Sequence, residues 1–280
     1  TRLLGIPQAG EVDPSPLLAV IVPILFGYMF PDVGHGLVLL IGGVLMARRW
    51  PQSRFLIPCG VASMGLGLVF GEVFGLHDLV APLWLSPMDE PLLVLVIPLI
   101  GGVGLILLGL LLASLEAFWR RELSAWFLSE AAVLCLYLMA VAALLMPQLW
   151  PLLAIPVLWY IAGAAVIYRA DPVHGLALAL GRLLESVSQL LINTLSFARV
   201  GAFALAHAGL SSAVLELVEL VDSAVARGLV FILGNVVIIV LEGLVVFVQT
   251  TRLVLFEFFI RFLRAGGRVF RPLCRPAAPG

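Results

Sequence analysis

Asn193-Thr194-Leu195-Ser196-Phe197-Ala198-Arg199-Val200-Gly201-Ala202-Phe203-Ala204-Leu205-Ala206-His207 is an apolar helical stretch with one arginine near its middle. No acid lies within ten residues of Arg199 on either side. A guanidinium in hydrocarbon costs at least ~2.5–3.5 kcal/mol on insertion scales, and arginine does not lose its proton to escape that cost. Arg199 must therefore face a protein interior, a wet cavity or a carboxylate from elsewhere.

The rest of the chain has the composition of a membrane protein. Hydrophobic residues make up 62% of 280 and charged residues 12%, about half the ~25% charged share of soluble domains. The net charge of −1 argues against a nucleic-acid partner, and all sixteen basic residues are arginine. Cys59, Cys135 and Cys274 are scattered without metal-ligand spacing and read as packing residues. Neither a phosphate-binding glycine loop, a nucleophile elbow nor a metal-ligand pattern is visible, so no cofactor and no metal are expected. The chain is not expected to hydrolyse ATP itself.

Charge-poor stretches predict an all-α integral membrane fold of about eight transmembrane helices, near residues 16–30, 34–47, 55–76, 91–115, two within 131–168, 183–212 and 228–260. A span needs ~20 residues. The first two are short, and the last two are long enough to require tilt. Pro147-Gln148-Leu149-Trp150-Pro151 divides the fifth from the sixth. The implied organisation is a short cytoplasmic segment at 1–15, a transmembrane domain at 16–265 and an Arg/Pro-rich cytoplasmic tail at 266–280. Arg48, Arg49, Arg54, Arg120, Arg121, Arg169 and Arg182, with five arginines after the last span, then fall on one side. Asp32, Asp78, Asp89, Glu90, Glu216, Glu219 and Asp222 fall on the other, with Arg227. The positive-inside rule places both termini in the cytoplasm.

Polar groups inside the membrane gather on the last two spans. At 100° per residue, Glu185 lies about 40° and Ser188 about 20° from Arg199, with Gln189 and Ser196 at the edges of this stripe. His207 stands ~12 Å beyond Arg199. On the last span, which runs the other way, Glu242 precedes Arg252 by ~15 Å. If the arginines share a depth, so do His207 and Glu242. Two polar half-paths result: one inward past Glu185, Ser188 and Gln189, the other outward past His207 and Glu242. Arg199 and Arg252 stand between them. A permanent cation there repels protons and attracts a carboxylate from another subunit. Simpler readings compete. Arg252 could snorkel to the cytoplasmic surface or pair with Glu242, His207 could be a core histidine, and Glu185 a solvated acid. Asp32 and His35 read as turn-capping residues, and Glu72 as a structural acid paired with His35 or His77. The small residues Gly201, Ala202, Ala204, Ala206, Ala208 and Gly209 suit close approach by another surface.

Pro14-Ser15-Pro16, Asp32-Val33-Gly34-His35-Gly36, Phe70-Gly71-Glu72-Val73-Phe74-Gly75 and, above all, Arg199 to His207 with Glu242 to Arg252 resemble the membrane domain of the V-type rotary ATPase a subunit, called subunit I in bacteria and archaea. The resemblance covers almost the whole chain. It implies an ion-translocating, proton-carrying stator subunit in a prokaryotic cell membrane. The implied partners are a proteolipid c-ring, a peripheral stalk and other rotary ATPase subunits. Arg199 matches the family's sealing arginine, Arg252 the second arginine, Glu185 the cytoplasmic half-channel acid, and His207 with Glu242 the outer half-channel. Two departures stand out. About thirteen residues precede the first span, so the family's large N-terminal cytoplasmic part is expected to be removed or supplied by a separate chain. Pro31 and His35 occupy the first and fifth places of a loop that in the family reads Gly-Asp-x-Gly-Tyr-Gly. The alternatives are a stand-alone transporter holding an anionic substrate at Arg199 and Arg252, or a degenerate structural relative without flux.

Overall fold

A computed structural model describes residues 15–76, 82–84, 87–119, 121, 123–167 and 172–255. The described residues form helices with no β-strand among them. The expected segments at 1–15 and 266–280 fall almost wholly outside these residues.

Helices α1 (Ser15–Met29), α2 (Val33–Met46) and α3 (Leu56–Phe70) form a tight sub-bundle. They are followed by α4 (Pro91–Trp119), α5 (Leu123–Leu128), α6 (Glu130–Leu145) and α7 (Ala154–Ile167). A 3-10 turn at Pro51–Phe55 leads into α3, and another at Pro147–Leu153 leads into α7. The last two predicted spans become α8 (Pro172–Ser196), α9 (Ala198–Glu219), α10 (Ala224–Val237) and α11 (Gly243–Leu253), with a π-helical turn at Ile238–Glu242 between α10 and α11. Six segments are long and apolar enough to cross a membrane, and α1 and α2 are shorter apolar helices. The chain is an all-α membrane protein. Its large exposed side chains are themselves apolar: Leu45, Leu92, Ile100, Leu184 and Leu195 all face outward, as expected where lipid replaces water.

The seventh predicted span differs most from expectation. Its apolar helix covers Gly175–Glu219, 45 residues, or ~67 Å at 1.5 Å per residue. A hydrocarbon layer of ~30 Å cannot contain that length upright. The helix is interrupted at Phe197, where Phe197 N–H donates to Thr194 O and Val200 N–H to Phe197 O. These three-residue steps tighten the backbone locally. Phe197 is buried, and its ring lies where a β-carbon on Gly102 would stand, 2.2 Å from that position. Gly201 makes the next approach, since a β-carbon there would lie 2.4 Å from Val94 O. Two glycines, one on each helix, thus let α9 rest on the backbone of α4.

The core follows from these contacts. Phe26, Met29 and Phe30 of α1 and its exit, Ile106 of α4, Val200 of α9, and Val246 with Leu253 of α11 are buried together. Helix α1 packs against both α9 and α11 and so joins them in one core. Of the small residues expected to face another surface, Gly201, Ala204 and Ala208 are buried in this chain's own packing, whereas Ala202 and Ala206 remain exposed.

Candidate functional site

The α1–α2 junction builds the first half of a buried polar cluster. Asp32 caps α2: its Oδ1 accepts the His35 N–H at 2.8 Å, as the turn-capping reading expects. Its Oδ2 accepts the Gly75 N–H at 3.0 Å, and Val33 N–H donates to Glu72 O at 3.0 Å. Ser63 Oγ donates to Phe30 O and Asp32 O. The chain leaves α3 through Gly71 at φ 76° and turns again at Gly75 at φ 75°, a backbone region suited to glycine. This folded loop carries Glu72 inward until it is fully buried. Its nearest ionisable partner is His207, with Nε2 to Oε2 at 3.8 Å. His35 is not the ion-pair partner expected of it, because its own ring is engaged elsewhere, and His77 lies outside the described residues.

The second half comes from α9 to α11. His207 Nδ1–H donates to Glu242 Oε2 at 2.8 Å. The π-helical turn ends on Glu242; such a turn inserts an extra residue per turn and is frequent at functional sites. Asn235, one turn earlier, meets His35 Nε2 through its Oδ1 at 2.7 Å. Its amide nitrogen donates to Phe231 O at 2.8 Å. The two imidazoles stand 5.4 Å apart at 83°. Phe30 packs on both rings, and Phe74 on His35. Asp32, His35, Glu72 and His207 are all 0% exposed. Four of the five atoms His35 Nδ1, His207 Nε2, Glu72 Oε1, Glu72 Oε2 and Ser211 Oγ belong to this group, Ser211 lying one turn beyond His207; none of the five has a hydrogen-bond partner among the described residues.

Arg199 lies in α9, half-buried. Its Nη1 donates to Gln249 Oε1 of α11 at 3.2 Å. Among the described residues, no carboxylate pairs with it within 4.0 Å. Arg252 is exposed in the last turn of α11. Glu242 does not take the role of its ion-pair partner, since that carboxylate faces His207.

A cavity of about 480 Å³ opens between α4, α6 and α8. Glu185 and Gln189 line it, as do Glu130, Arg182 and Asn193. Ser188 is exposed and is not part of this lining. The inner set read from the sequence is thus split, with two members on the cavity and one on the outer face of α8. Cys59 is buried and Cys135 half-buried, both as free thiols.

Sequence reasoning treated Asp32, His35 and Glu72 as structural and did not single out Asn235 or Gln249. Gln249 did carry a signal. It follows Glu242 by seven residues, which returns it within about 20° of the same helix face. The meeting of Asp32 and His35 with His207 had no local signal, because more than 170 residues separate them.

The same chain segments align with curated proteins. Subunit I of the A-type ATP synthase from Pyrococcus horikoshii is 28% identical over 97% of this chain and 44% of its own length. The Aeropyrum pernix protein of the same name is 25% identical over 97% of this chain and 49% of its own. Over nearly its whole length the chain is similar to subunit I of A-type ATP synthases. V-type ATP synthase subunit I 2 of Treponema pallidum adds a shorter match, 37% identical over 28% of this chain. The chain spans about half the length of the curated relatives it matches. No family model matches it.

Proposed function

We propose that the chain is the ion-translocating stator subunit of a rotary ATP synthase or ATPase, and that the ion is the proton. In this reading the 480 Å³ cavity at Glu185 and Gln189 is the cytoplasmic half-channel. The buried residues His207, Glu72 and His35, with half-buried Glu242, are the outer one. Arg199 is the seal, with Arg252 as a second cation on the cytoplasmic side. A proteolipid ring carboxylate exchanges its proton at each half-channel and passes Arg199 in between. The chain hydrolyses no ATP itself. Its arginine-rich loops lie in the cytoplasm, and the peripheral stalk and other subunits hold it against rotation.

One observation carries this reading: Arg199, between two polar regions, is held by a neutral amide and not by an acid. Its charge stays available to a carboxylate from outside the chain. The relatives' names, subunit I of A-type and V-type ATP synthases, agree with it. The test is Arg199→Ala in the assembled complex. Coupled proton pumping is expected to disappear while assembly, followed by co-purification of the ring, persists. Pumping at the wild-type rate would overturn the reading. Substrate uptake by ring-free protein in liposomes would instead favour a stand-alone transporter.

A further inference from the structure

The orientation of Asn235 fixes the protons on the imidazoles beside it. Its amide nitrogen donates to Phe231 O, so its oxygen must be the atom facing His35 Nε2 at 2.7 Å. His35 Nε2 therefore carries the hydrogen, and in the neutral ring Nδ1 presents a lone pair. His207 behaves alike: Nδ1–H is engaged by Glu242 at 2.8 Å, which leaves the lone pair on Nε2. These two nitrogens are the ones without hydrogen-bond partners, and both are buried. Each faces a carboxylate, His35 Nδ1 at 3.7 Å from Asp32 Oδ1 and His207 Nε2 at 3.8 Å from Glu72 Oε2. With both rings neutral and both acids ionised, lone pair opposes lone pair, which is repulsive until a proton or a metal ion lies between.

We propose that Asp32, His35, His207 and Glu72 form a binding site for one divalent transition-metal ion of the zinc class. One ligand atom from each of Asp32, His35 and His207 already lies within 4.8 Å of the others. Zinc bonds nitrogen and oxygen at ~2.0–2.2 Å in a tetrahedron, which sets neighbouring ligands ~3.3 Å apart. Closing the 3.7 and 3.8 Å pairs needs shifts of about half an ångström, and the widest separation, up to 4.8 Å, needs up to ~1.5 Å shared between two side chains, within reach of side-chain torsions. Two carboxylates balance the ion's charge, and two imidazoles with two oxygens suit zinc more than calcium or magnesium. The outer partners are also in place. Glu242 and Asn235 hold the distal ring nitrogens, as carboxylates and amides do behind metal-bound histidines. Binding does not depend on ion translocation.

The experiment uses the full chain without a histidine tag, stripped with chelator, in lipid nanodiscs. Co²⁺ is titrated by absorption and Zn²⁺ by calorimetric competition. One ion per chain is expected, with cobalt d–d bands and no thiolate charge-transfer band. X-ray absorption on the zinc form of the unaltered protein should show imidazole scattering from two ligands at ~2.0–2.1 Å. His35→Gln and His207→Gln should each weaken binding ~100-fold, and Asn235→Ala, which removes no ligand, by ~10–100-fold. No binding at one equivalent, an absorption spectrum without imidazole, or unchanged affinity in the two histidine variants would overturn the proposal. The X-ray measurement needs no variant to fold. Pumping is read separately on the chelator-stripped complex, because an ion held by His207 and Glu72 would occupy the outer half-channel; a metal-free complex that does not pump would sink the stator reading alone.

Discussion

Gly201→Ala asks whether α9 is held at backbone distance from α4. A β-carbon at 201 would lie 2.4 Å from Val94 O and 2.8 Å from Leu95 Cα. Ordinary contact begins at 3.4 Å, so α9 must retreat by 3.4 − 2.4, or 1.0 Å, unless α4 gives way. Overpacking against backbone costs ~1–3 kcal/mol. Alanine returns up to ~1 kcal/mol over glycine inside a helix. Gly209→Ala is the matched control, eight residues on in the same helix, where a β-carbon meets nothing within 4 Å. The propensity gain is common to both variants and cancels between them, leaving a difference of ~1–3 kcal/mol. Equilibrium unfolding of the purified chain in mixed micelles, followed by helical circular dichroism, measures it. The shift also reaches the site. Arg199 stands two residues before Gly201, and its 3.2 Å bond to Gln249 is already at the long end for N–H···O, so pumping should fall in Gly201→Ala alone. Equal stability and equal pumping in the two variants would refute the packing argument.

Three further outcomes are expected. A double-mutant cycle of His207→Ala and Glu242→Ala should give a coupling of ~1–3 kcal/mol in unfolding free energy, because His207 is buried and in contact with half-buried Glu242 at 2.8 Å; a coupling near zero would mean that the contact is not formed. Gln249→Glu places a permanent carboxylate beside Arg199, where a close pair is worth ~4 kcal/mol at an effective dielectric near 20. Proton pumping in reconstituted vesicles should then drop by at least ~10-fold, and wild-type pumping would count against the role given to Arg199. Asp32→Ala removes the cap of α2 and the acceptor for Gly75, at ~2–4 kcal/mol together. Asp32→Asn keeps an acceptor and should lower the unfolding midpoint by less than half as much; identical midpoints would show that the carboxyl does not cap.

The spans were legible because hydrophobicity and helix length are written locally. Even the short first pair appears near its expected place, as Ser15–Met29 and Val33–Met46. The third span ends early, at Phe70, because Gly71 takes a left-handed conformation, and apolar composition alone does not reveal that. His207 and Glu242 could be placed at one depth by counting rise along two opposed spans, and the structure sets them 2.8 Å apart. That count assumed regular helices. The step at Phe197 and the π-helical turn at Ile238–Glu242 both change the phase of side chains around the axis, and Ser188 falls outside the cavity that Glu185 and Gln189 line. Asp32, His35 and Glu72 looked structural because each has a local explanation. Asp32 does cap its helix, but the loop it anchors delivers Glu72 to His207. One residue thus serves folding and site assembly together, and only the tertiary contacts reveal the second role.

Partner choice separates Arg199 from His207 on α9. His207 has an acid in permanent contact, Glu242. Arg199 has Gln249 instead. An amide oxygen satisfies one guanidinium donor and fixes the side chain's direction, at a net gain of ~1.5–3 kcal/mol for a charged hydrogen bond. A carboxylate at similar range would gain ~4 kcal/mol and would cancel the charge. The neutral partner therefore leaves a margin of ~1–2.5 kcal/mol in favour of any carboxylate that comes within reach. That margin is enough for a visiting acid to displace Gln249, yet small enough for the acid to leave again. A stator that must release each ring carboxylate needs a weak preference of this kind, and a glutamate at position 249 would remove it.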